Sequence, residues 1–182
     1  MLPEEIPQYK DISGCAISGI MSEEGRRFHG DQIIDSIANM HNRSNGLGGG
    51  FAAYGIYPEY KDYYALHIMY EDEQSAKHTE EHLQRLFIVY HKEIIPHKHN
   101  PGIINHPLLR RYFVTPHPVR EDTPDRIFEE LSEEESVFRA VMEINTSFRG
   151  AFVFSSGKNM GIFKGVGYPE DIGRFFQLER YK

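Results

Sequence analysis

Cys15 is the residue whose type and surroundings could support covalent chemistry. It is the single cysteine among 182 residues, so it cannot form a disulfide within the chain. It follows Gly14 and opens a short apolar run. A thiol can attack a carbonyl carbon once a nearby base takes its proton. A lone cysteine is also often a small buried hydrophobic residue, and composition alone favours that interpretation.

Histidines form a second candidate group. Five of them fall within 27 residues: His91, His97, His99, His106 and His117. Zinc is bound by imidazoles at tetrahedral positions, but here no acidic or cysteine partner sits at a recognisable ligand spacing. The prolines in the same stretch indicate an exposed loop. We therefore favour solvent-facing histidines and expect no metal, while a histidine metal site in 91–117 stays open as an alternative.

Glycine-rich segments could suggest a phosphate-binding loop. A P-loop needs Gly-x-x-x-x-Gly-Lys-Ser/Thr between a strand and a helix. Here Lys158 is followed by Asn159, and the run 48–50 precedes a strand. We expect turns and close backbone approaches at these glycines, and no bound cofactor.

The elements that must position these residues follow from hydrophobic periodicity and capping signals. The predictions are a buried strand over 15–21, a helix capped by Asp31 and ending near Met40, strands over 51–57 and 63–70 forming a hairpin, a helix from Asp72 that includes Tyr90, a strand-like run at 112–114, helices from Thr123 and Ser132, a hairpin of 151–155 and 161–164, and a helix from Pro169. Strands and helices come in groups without strict alternation. This predicts an α+β fold with helices packed on largely antiparallel sheet.

Composition limits the function classes. The net charge is −7, which argues against a nucleic-acid binder that relies on general basicity. No apolar run approaches the roughly 20 residues that a membrane-spanning helix needs. The acidic, proline-bearing start of the chain is unlike a signal peptide. We expect a cytoplasmic protein with no nucleic-acid or membrane partner.

Three stretches carry a family resemblance: Cys-Ala-Ile-Ser-Gly-Ile from Cys15, Met-His-Asn-Arg at 40–43 before a glycine-rich run, and 155–169. Together they resemble the N-terminal portion of a class II glutamine amidotransferase domain of the glutamate-synthase-associated type, an N-terminal-nucleophile (Ntn) hydrolase. The resemblance implies a partial αββα sandwich over 15–182, preceded by a leader-like arm over 1–14. It also implies that Cys15 is the nucleophile and that Arg43 shapes the site beside it. Arg43 could equally be an ordinary cation at a helix end.

The implied chemistry requires a free α-amine on Cys15. The thiol attacks the glutamine amide carbon, and the α-amine acts as base. An α-amine has a pKa of about 7.7–8.0, which suits proton transfer near neutral pH. An amide nitrogen cannot take this role, so the peptide bond between Gly14 and Cys15 must be cut first. Glutamine would be the substrate, and ammonia would pass to a synthase-like partner.

The sequence departs from the family pattern. Ala16 follows the cysteine where the family has glycine, and Asn42-Arg43-Ser44 stands for His-Arg-Gly. The family's His-x-Arg-(Phe/Tyr)-x-Thr, oxyanion Asn-Gly and acidic segments are missing, since Asn45-Gly46 and Asn145 do not stand in the right context. We therefore expect an incomplete site that a second polypeptide would complete, and no glutaminase activity from the isolated chain. The alternative is a non-catalytic regulatory or interaction module that retains the fold.

Overall fold

The computed structural model of the chain describes residues 14–98, 107–118 and 131–182. The predicted leader arm, apart from Gly14, and the helix predicted from Thr123 lie outside these residues, as do His99 and His106. The elements are α1 (Gly30–Ala38), β1 (Gly49–Tyr54), β2 (Tyr64–Tyr70), α2 (Glu73–Leu86), β3 (Phe87–Ile94), β4 (Leu108–Pro116), α3 (Glu133–Ser147), β5 (Ala151–Ser155), β6 (Met160–Gly165) and α4 (Pro169–Phe175), with short 3-10 turns at His41–Arg43, Pro58–Tyr60 and Leu178–Arg180.

Side-chain caps fix the starts of the two long helices. The backbone N–H of Ser75 donates to Asp72 Oδ1 at 2.7 Å at the start of α2. The N–H of Glu135 donates to Ser132 Oγ at 3.1 Å at the start of α3. Both caps confirm the predicted starts, because each oxygen satisfies an N–H that has no partner within the helix. Helix α1 begins at Gly30, two residues earlier than a helix capped by Asp31 would, so Asp31 lies in its first turn.

Two antiparallel sheets form the centre of the described structure. One is the ribbon β1-β6, in which Phe51 pairs with Phe163. The other has the order β3-β4-β2-β5, and all of its pairings are antiparallel. Helices therefore accompany antiparallel sheets, which confirms the α+β class. No helix in the described residues is long and apolar enough to cross a membrane.

The central strand β2 is buried on both faces. Leu66 and Ile68 pack with α2 and α3 in one core. Ala65 and His67, which alternate with them along the strand, point to the other face and are fully buried. On that side a second core joins α1, α4 and the ribbon to the large sheet, with Phe163 and Phe154 among its members. Successive side chains of a strand point to opposite faces, so continuous burial places β2 between two packed layers.

Both predicted hairpins are wrong. Strands β1 and β2 belong to different sheets, and so do β5 and β6. The turn between β5 and β6 is instead bonded to the start of β2 and to the connection that precedes it. Ala65 N–H donates to the Gly157 carbonyl at 2.8 Å, and Tyr57 N–H donates to Asn159 Oδ1 at 3.0 Å. Each short link thus carries the chain from one sheet to the other.

The strand predicted over 15–21 is also wrong. This segment has no assigned strand, and Ile17 and Met21 are 89% and 86% exposed. Exposure alternates from Gly14 to Ser18 as in an extended chain. Within the described residues β1 pairs with β6 alone, so the segment has no strand beside it. An apolar run becomes a buried strand only where backbone partners exist.

Helix α2 ends at Leu86, earlier than the prediction that included Tyr90. The chain passes directly into β3, where Phe87, Ile88, Val89 and Tyr90 are aromatic or β-branched residues that favour strand. The helical spacing of Tyr90 was therefore coincidental. The last helix begins at Pro169 as predicted.

Candidate active site

Cys15 lies on the wall of a cavity of about 890 Å³. The cavity runs between the segment 14–22, helix α1 and strand β1, and His41, the first residue of the 3-10 turn His41–Arg43, lies on its rim. Cys15 is exposed, so the interpretation of this cysteine as a small buried hydrophobic residue is wrong. The thiol is therefore accessible to a molecule that enters this space.

The bond that would have to be cut lies against the Arg43 turn. A β-carbon placed on Gly14 would lie 2.6 Å from the Arg43 carbonyl oxygen and 3.7 Å from the Asn45 backbone nitrogen. Only glycine allows the Gly14–Cys15 junction to approach this turn so closely. The structure thus places the Arg43 backbone against Gly14, the residue before Cys15, whereas Arg43 is not among the described residues that line the cavity. It also places Asn45-Gly46, which the sequence pattern set aside, next to the same junction.

A histidine–carboxylate pair stands on the same rim. His41 Nδ1 is hydrogen-bonded to Glu170 Oε1, which belongs to the first turn of α4. The Glu170 side chain is only 10% exposed, whereas that of His41 is 49% exposed. His41 lines the cavity, and Glu170 stands behind it. A buried carboxylate therefore holds one ring nitrogen of an imidazole that borders the cavity.

Tyr168 fixes the plane of the His41 ring. The two rings stack with their centroids 4.1 Å apart and an interplanar angle of 26°. Gly46 closes the other side of Tyr168: its φ is +72°, and a β-carbon there would lie 3.1 Å from the Tyr168 ring. Glycine is needed at this position for its backbone conformation and for the space it leaves.

The pKa of Glu170 is lowered despite its burial. Burial alone would raise the pKa, but the hydrogen bond with His41, the residue's own backbone N–H and the charge of Arg174 together outweigh burial. Glu170 is therefore an anion at neutral pH. Its second oxygen, Oε2, is buried without a hydrogen-bond partner among the described residues. An unpaired buried acceptor is costly, and natural proteins keep few of them.

A buried polar chain lies beneath the cavity, where the two sheets meet. Arg111 Nη1 donates to Tyr57 Oη at 2.7 Å, and Tyr57 Oη donates to His67 Nε2 at 2.8 Å. His67 Nδ1 donates to the Ile162 carbonyl at 3.1 Å. The ring roles follow from the partners, because a carbonyl only accepts. Every link is satisfied, so the chain joins β4, β2 and β6 without an unpaired group.

Two further contacts extend this chain. Arg111 also donates to Tyr181 Oη at 2.9 Å and through Nε to Glu93 Oε1 at 3.0 Å. Tyr181 lines the cavity, so the network reaches its floor. Burial lowers the pKa of His67 to about 3, and the positive charge of Arg111 acts in the same direction. His67 is accordingly neutral at physiological pH.

The remaining candidates from the sequence do not join the site. His97 Nδ1 donates to the Ile95 carbonyl at 2.7 Å, and His117 Nε2 donates to the Gln84 carbonyl at 3.1 Å. His91 is half-buried and stacks on Tyr60. In residues 14–98, 107–118 and 131–182, no group of three or more His, Cys, Asp or Glu is placed to hold a metal ion.

Lys158 makes an ion pair with Glu133 at 2.8 Å, within the link between β5 and β6. Lys158 thus lies in a turn and has a carboxylate partner.

His41, Tyr168 and Glu170 are the site residues that the sequence reasoning missed. His41 and Glu170 are 129 positions apart, so no local spacing links them. The signals that exist are a histidine just after a helix and an acidic residue after a proline. Both are ordinary features of helix ends.

No protein-family model matches this sequence. An uncharacterized protein from Archaeoglobus fulgidus is 49% identical to it over 176 residues, which are 95% of this chain and 45% of the relative. The chain thus spans about half the length of the curated relative that it matches.

Proposed function

We propose that this chain is part of a class II glutamine amidotransferase domain in which Cys15 is the nucleophile. The reaction would hydrolyse glutamine to glutamate and ammonia through a thioester on Cys15, and the ammonia would pass to a glutamate-synthase-like partner. The position of the Gly14–Cys15 junction carries the proposal. It lies on the wall of a large cavity and against the Arg43 turn.

The fold is compatible with this proposal. An Ntn-type αββα sandwich needs two antiparallel sheets that pack face to face. Here β2 and β6 approach each other through His67 and Gly161, and helices α2 and α3 cover the far face of the larger sheet.

The proposal includes a second polypeptide that completes the site. The described residues and the sequence offer no arginine segment for the substrate carboxylate and no acidic segment for the substrate amine. The archaeal relative is more than twice as long as the part that aligns with this chain, which leaves room for such groups. Losing even one oxyanion donor costs about 10²–10³ in rate. The chain alone should therefore not hydrolyse glutamine.

Covalent labelling tests the nucleophile. The purified chain, mixed with the unaligned remainder of the archaeal relative, is treated in separate samples with a diazo-ketone analogue of glutamine, with a diazo-ketone that lacks the amino-acid moiety and with iodoacetamide. Modification of Cys15 is quantified by peptide mass spectrometry. A glutamine site completed in the mixture predicts that the analogue modifies Cys15 faster than the diazo-ketone without the amino-acid moiety. Cys15→Ala is the control for other sites. Equal rates for the two diazo-ketones would contradict the proposal.

A second candidate function is a non-catalytic interaction module that retains the fold. The exposed apolar side chains on the cavity rim favour it, since Ile17, Met21 and Tyr54 are at least four-fifths exposed. Apolar patches of this kind often mark protein contacts. This candidate predicts that both diazo-ketones modify Cys15 at the rate of a generic thiol.

A further inference from the structure

We propose that the free edge of strand β1, over Gly49–Tyr54, is the surface on which the second polypeptide docks, by adding a strand of its own to the β1-β6 ribbon. This inference rests on the proposed function, which calls for a second polypeptide, and it names the surface that this polypeptide contacts. The partner is a chain equivalent to the part of the archaeal relative that lies outside the aligned 45%.

The direction of the backbone groups of β1 follows from the bonds that Ile162 makes. Ile162 pairs with Ala52 across the ribbon. Its N–H donates to Ser155 Oγ at 3.0 Å, and its carbonyl accepts from His67 Nδ1 at 3.1 Å, so both of its backbone groups point away from β1. Directly opposed residues of an antiparallel pair either bond to each other or both point outward. Ala52 therefore directs its N–H and its carbonyl toward the free edge of β1.

Two more residues of β1 share this orientation. The N–H of Gly55 donates to the Asn159 carbonyl at 2.7 Å, which continues the set of alternate bonded residues just past the end of the strand. Gly50 and Tyr54 alternate with that set, as Ala52 does, and so they also point outward. Among the described residues, the N–H and carbonyl groups of these three positions have no hydrogen-bond partner. The free edge thus presents three donors and three acceptors at strand spacing.

The other strand edges in the described structure are blocked, since Ser155 and His67 cover that of β6. On β5, Asn145 Nδ2 donates to the Val153 carbonyl at 3.0 Å, and the Val153 N–H donates back to Asn145 Oδ1 at 2.7 Å. Strand β3 contains a register shift and charged residues. Natural proteins block edges by such devices, because an open edge can pair with another chain. Strand β1 has no charge, no proline and no register shift, so its edge is suited to a partner strand.

The residues of the free edge line the large cavity, and exposed apolar side chains lie on both sides of it. The cavity is lined by 48–55 on one side and by 14–22 on the other. Tyr54 is 82% exposed, and Ile17 and Met21 on the opposite wall are also exposed. Burial of these side chains by a docked strand is favourable. It would add to the main-chain hydrogen bonds that strand addition supplies.

The partner is a different polypeptide rather than a second copy of this chain. A second copy would bring the same residues to the cavity, and these lack the arginine and acidic segments that the glutamine site needs. The archaeal relative carries more than half of its length outside the aligned part. A two-stranded sheet is marginally stable by itself, and further strands would extend the ribbon into a stable sheet.

Amide hydrogen exchange, resolved residue by residue by NMR, tests the interface in the wild-type chain. The exchange is measured with and without the unaligned remainder of the archaeal relative. In the chain alone, β6 should protect the N–H groups of Phe51 and Ala53, whereas those of Ala52 and Tyr54 should exchange freely. Binding should slow exchange at Ala52 and Tyr54 by at least about tenfold and leave Phe51 and Ala53 protected.

Three results would overturn the proposal. One is a complex in which exchange at Ala52 and Tyr54 is unchanged, and another is the absence of a complex. The third is protection of these two N–H groups in the chain alone. Such protection would assign the edge to a second copy if it increased with the concentration of the chain, and to another part of the same chain if it did not.

Substitutions at the free edge test the same surface by isothermal titration calorimetry. Ala52→Pro removes a donor that points outward and no bond between β1 and β6, and Tyr54→Lys places a charge on the edge. Each should weaken binding of the remainder about tenfold. The matched control is Phe138→Lys, which charges an exposed aromatic residue on α3 and should leave the affinity unchanged.

Equal affinities for the edge variants and Phe138→Lys would overturn the proposal. Circular dichroism shows whether each variant is folded. If Ala52→Pro does not fold, Tyr54→Lys and the exchange measurement on the wild-type chain decide.

The docking surface and the glutamine chemistry can fail separately. Protection of Ala52 without faster labelling of Cys15 by the glutamine analogue would remove the glutamine proposal and leave the docking surface standing. Faster labelling in the mixture without protection of Ala52 would remove the docking surface and leave the glutamine proposal standing.

Discussion

Gly161 of β6 lies directly against His67 of β2 at the interface between the two sheets. A β-carbon on Gly161 would lie 2.7 Å from His67 Cε1 and 2.8 Å from Tyr57 Oη. The absent side chain is what allows the ribbon to approach the large sheet and the buried polar chain to close. Because that chain lies beneath the cavity, the same contact also sets the floor of the candidate site.

Gly161→Ala should destabilise the protein by about 2 kcal/mol, since the new methyl group must displace a buried ring or hydroxyl. Urea denaturation followed by circular dichroism measures this change. Gly19→Ala is the matched control, because a β-carbon at Gly19 meets no atom within 4 Å. A loss in Gly161→Ala no larger than in Gly19→Ala would show that the interface is looser than described.

Stability should fall as the pH drops below about 6.5. In this pH range His67 binds a proton in the unfolded chain but stays neutral in the folded protein, because the pKa of His67 in the folded protein is about 3. The free energy of unfolding should lose up to about 1.4 kcal/mol per pH unit from this group down to that pH. Urea midpoints at pH 7 and pH 5 measure the change.

His67→Gln should flatten this pH dependence relative to wild type, whereas His117→Gln should not. NMR of the wild-type imidazole supplies the check if His67→Gln does not fold. Observation of a protonated His67 at pH 5 in the folded protein would contradict the account.

Arg111→Met should cost about 3 kcal/mol, because it removes the donor of a buried network and leaves Tyr57 and Tyr181 without it. Arg111→Lys keeps the charge but loses the fork of donors, so it should restore only part of the loss. Urea denaturation midpoints measure the loss of stability in both variants. The comparison is Arg139→Met, which breaks an exposed pair with Glu135 and should cost less than about 1 kcal/mol. Equal losses at the two arginines would be inconsistent with a structural role for the buried network.

Local signals in the sequence predicted elements far better than partners. The caps at Asp72 and Ser132 act within one turn of helix, so the sequence alone could place both helix starts. Strands β1, β2, β4, β5 and β6 were found for a similar reason, whereas β3 was partly assigned to the preceding helix and the strand predicted over 15–21 is absent. The pairing of the strands was not found, because a short polar link looks the same whether it reverses a hairpin or passes between two sheets. Asn159 illustrates this: its partner is Tyr57, which lies far away in the sequence.

The residues of the candidate site also fall into two groups: those that local sequence signals identify, and those whose place depends on tertiary packing. Cys15 and Arg43 could be named from their residue types and neighbours, and the structure places the Arg43 carbonyl against Gly14, the residue before Cys15. Glu170 could not be named, because its role depends on α4 packing against the His41 turn. The apolar run after Cys15 was predicted to be buried and is exposed. Its hydrophobicity is a property of the sequence, while its burial depends on a strand partner.

The leader should stay attached to the purified chain. Self-cleavage at Gly14–Cys15 by an N-to-S acyl shift needs a donor for the developing oxyanion, and the family's Asn-Gly pair is missing from its usual context. Intact-mass spectrometry of freshly purified protein should show one species with residues 1–14 present. A major species that begins at Cys15, formed without added protease, would refute this prediction.

Ammonia release from L-glutamine tests the central claim most directly. The assay compares the chain alone, the chain mixed with the unaligned remainder of the Archaeoglobus fulgidus relative, and the same mixture with Cys15→Ala. Because the Gly14–Cys15 bond must be cut and the leader should stay attached, every sample is first treated with a protease that frees the α-amine of Cys15. The account predicts no release from the chain alone, release from the mixture, and none once Cys15 is replaced. Release that Cys15→Ala leaves unchanged, or a stable complex that releases none, would contradict it.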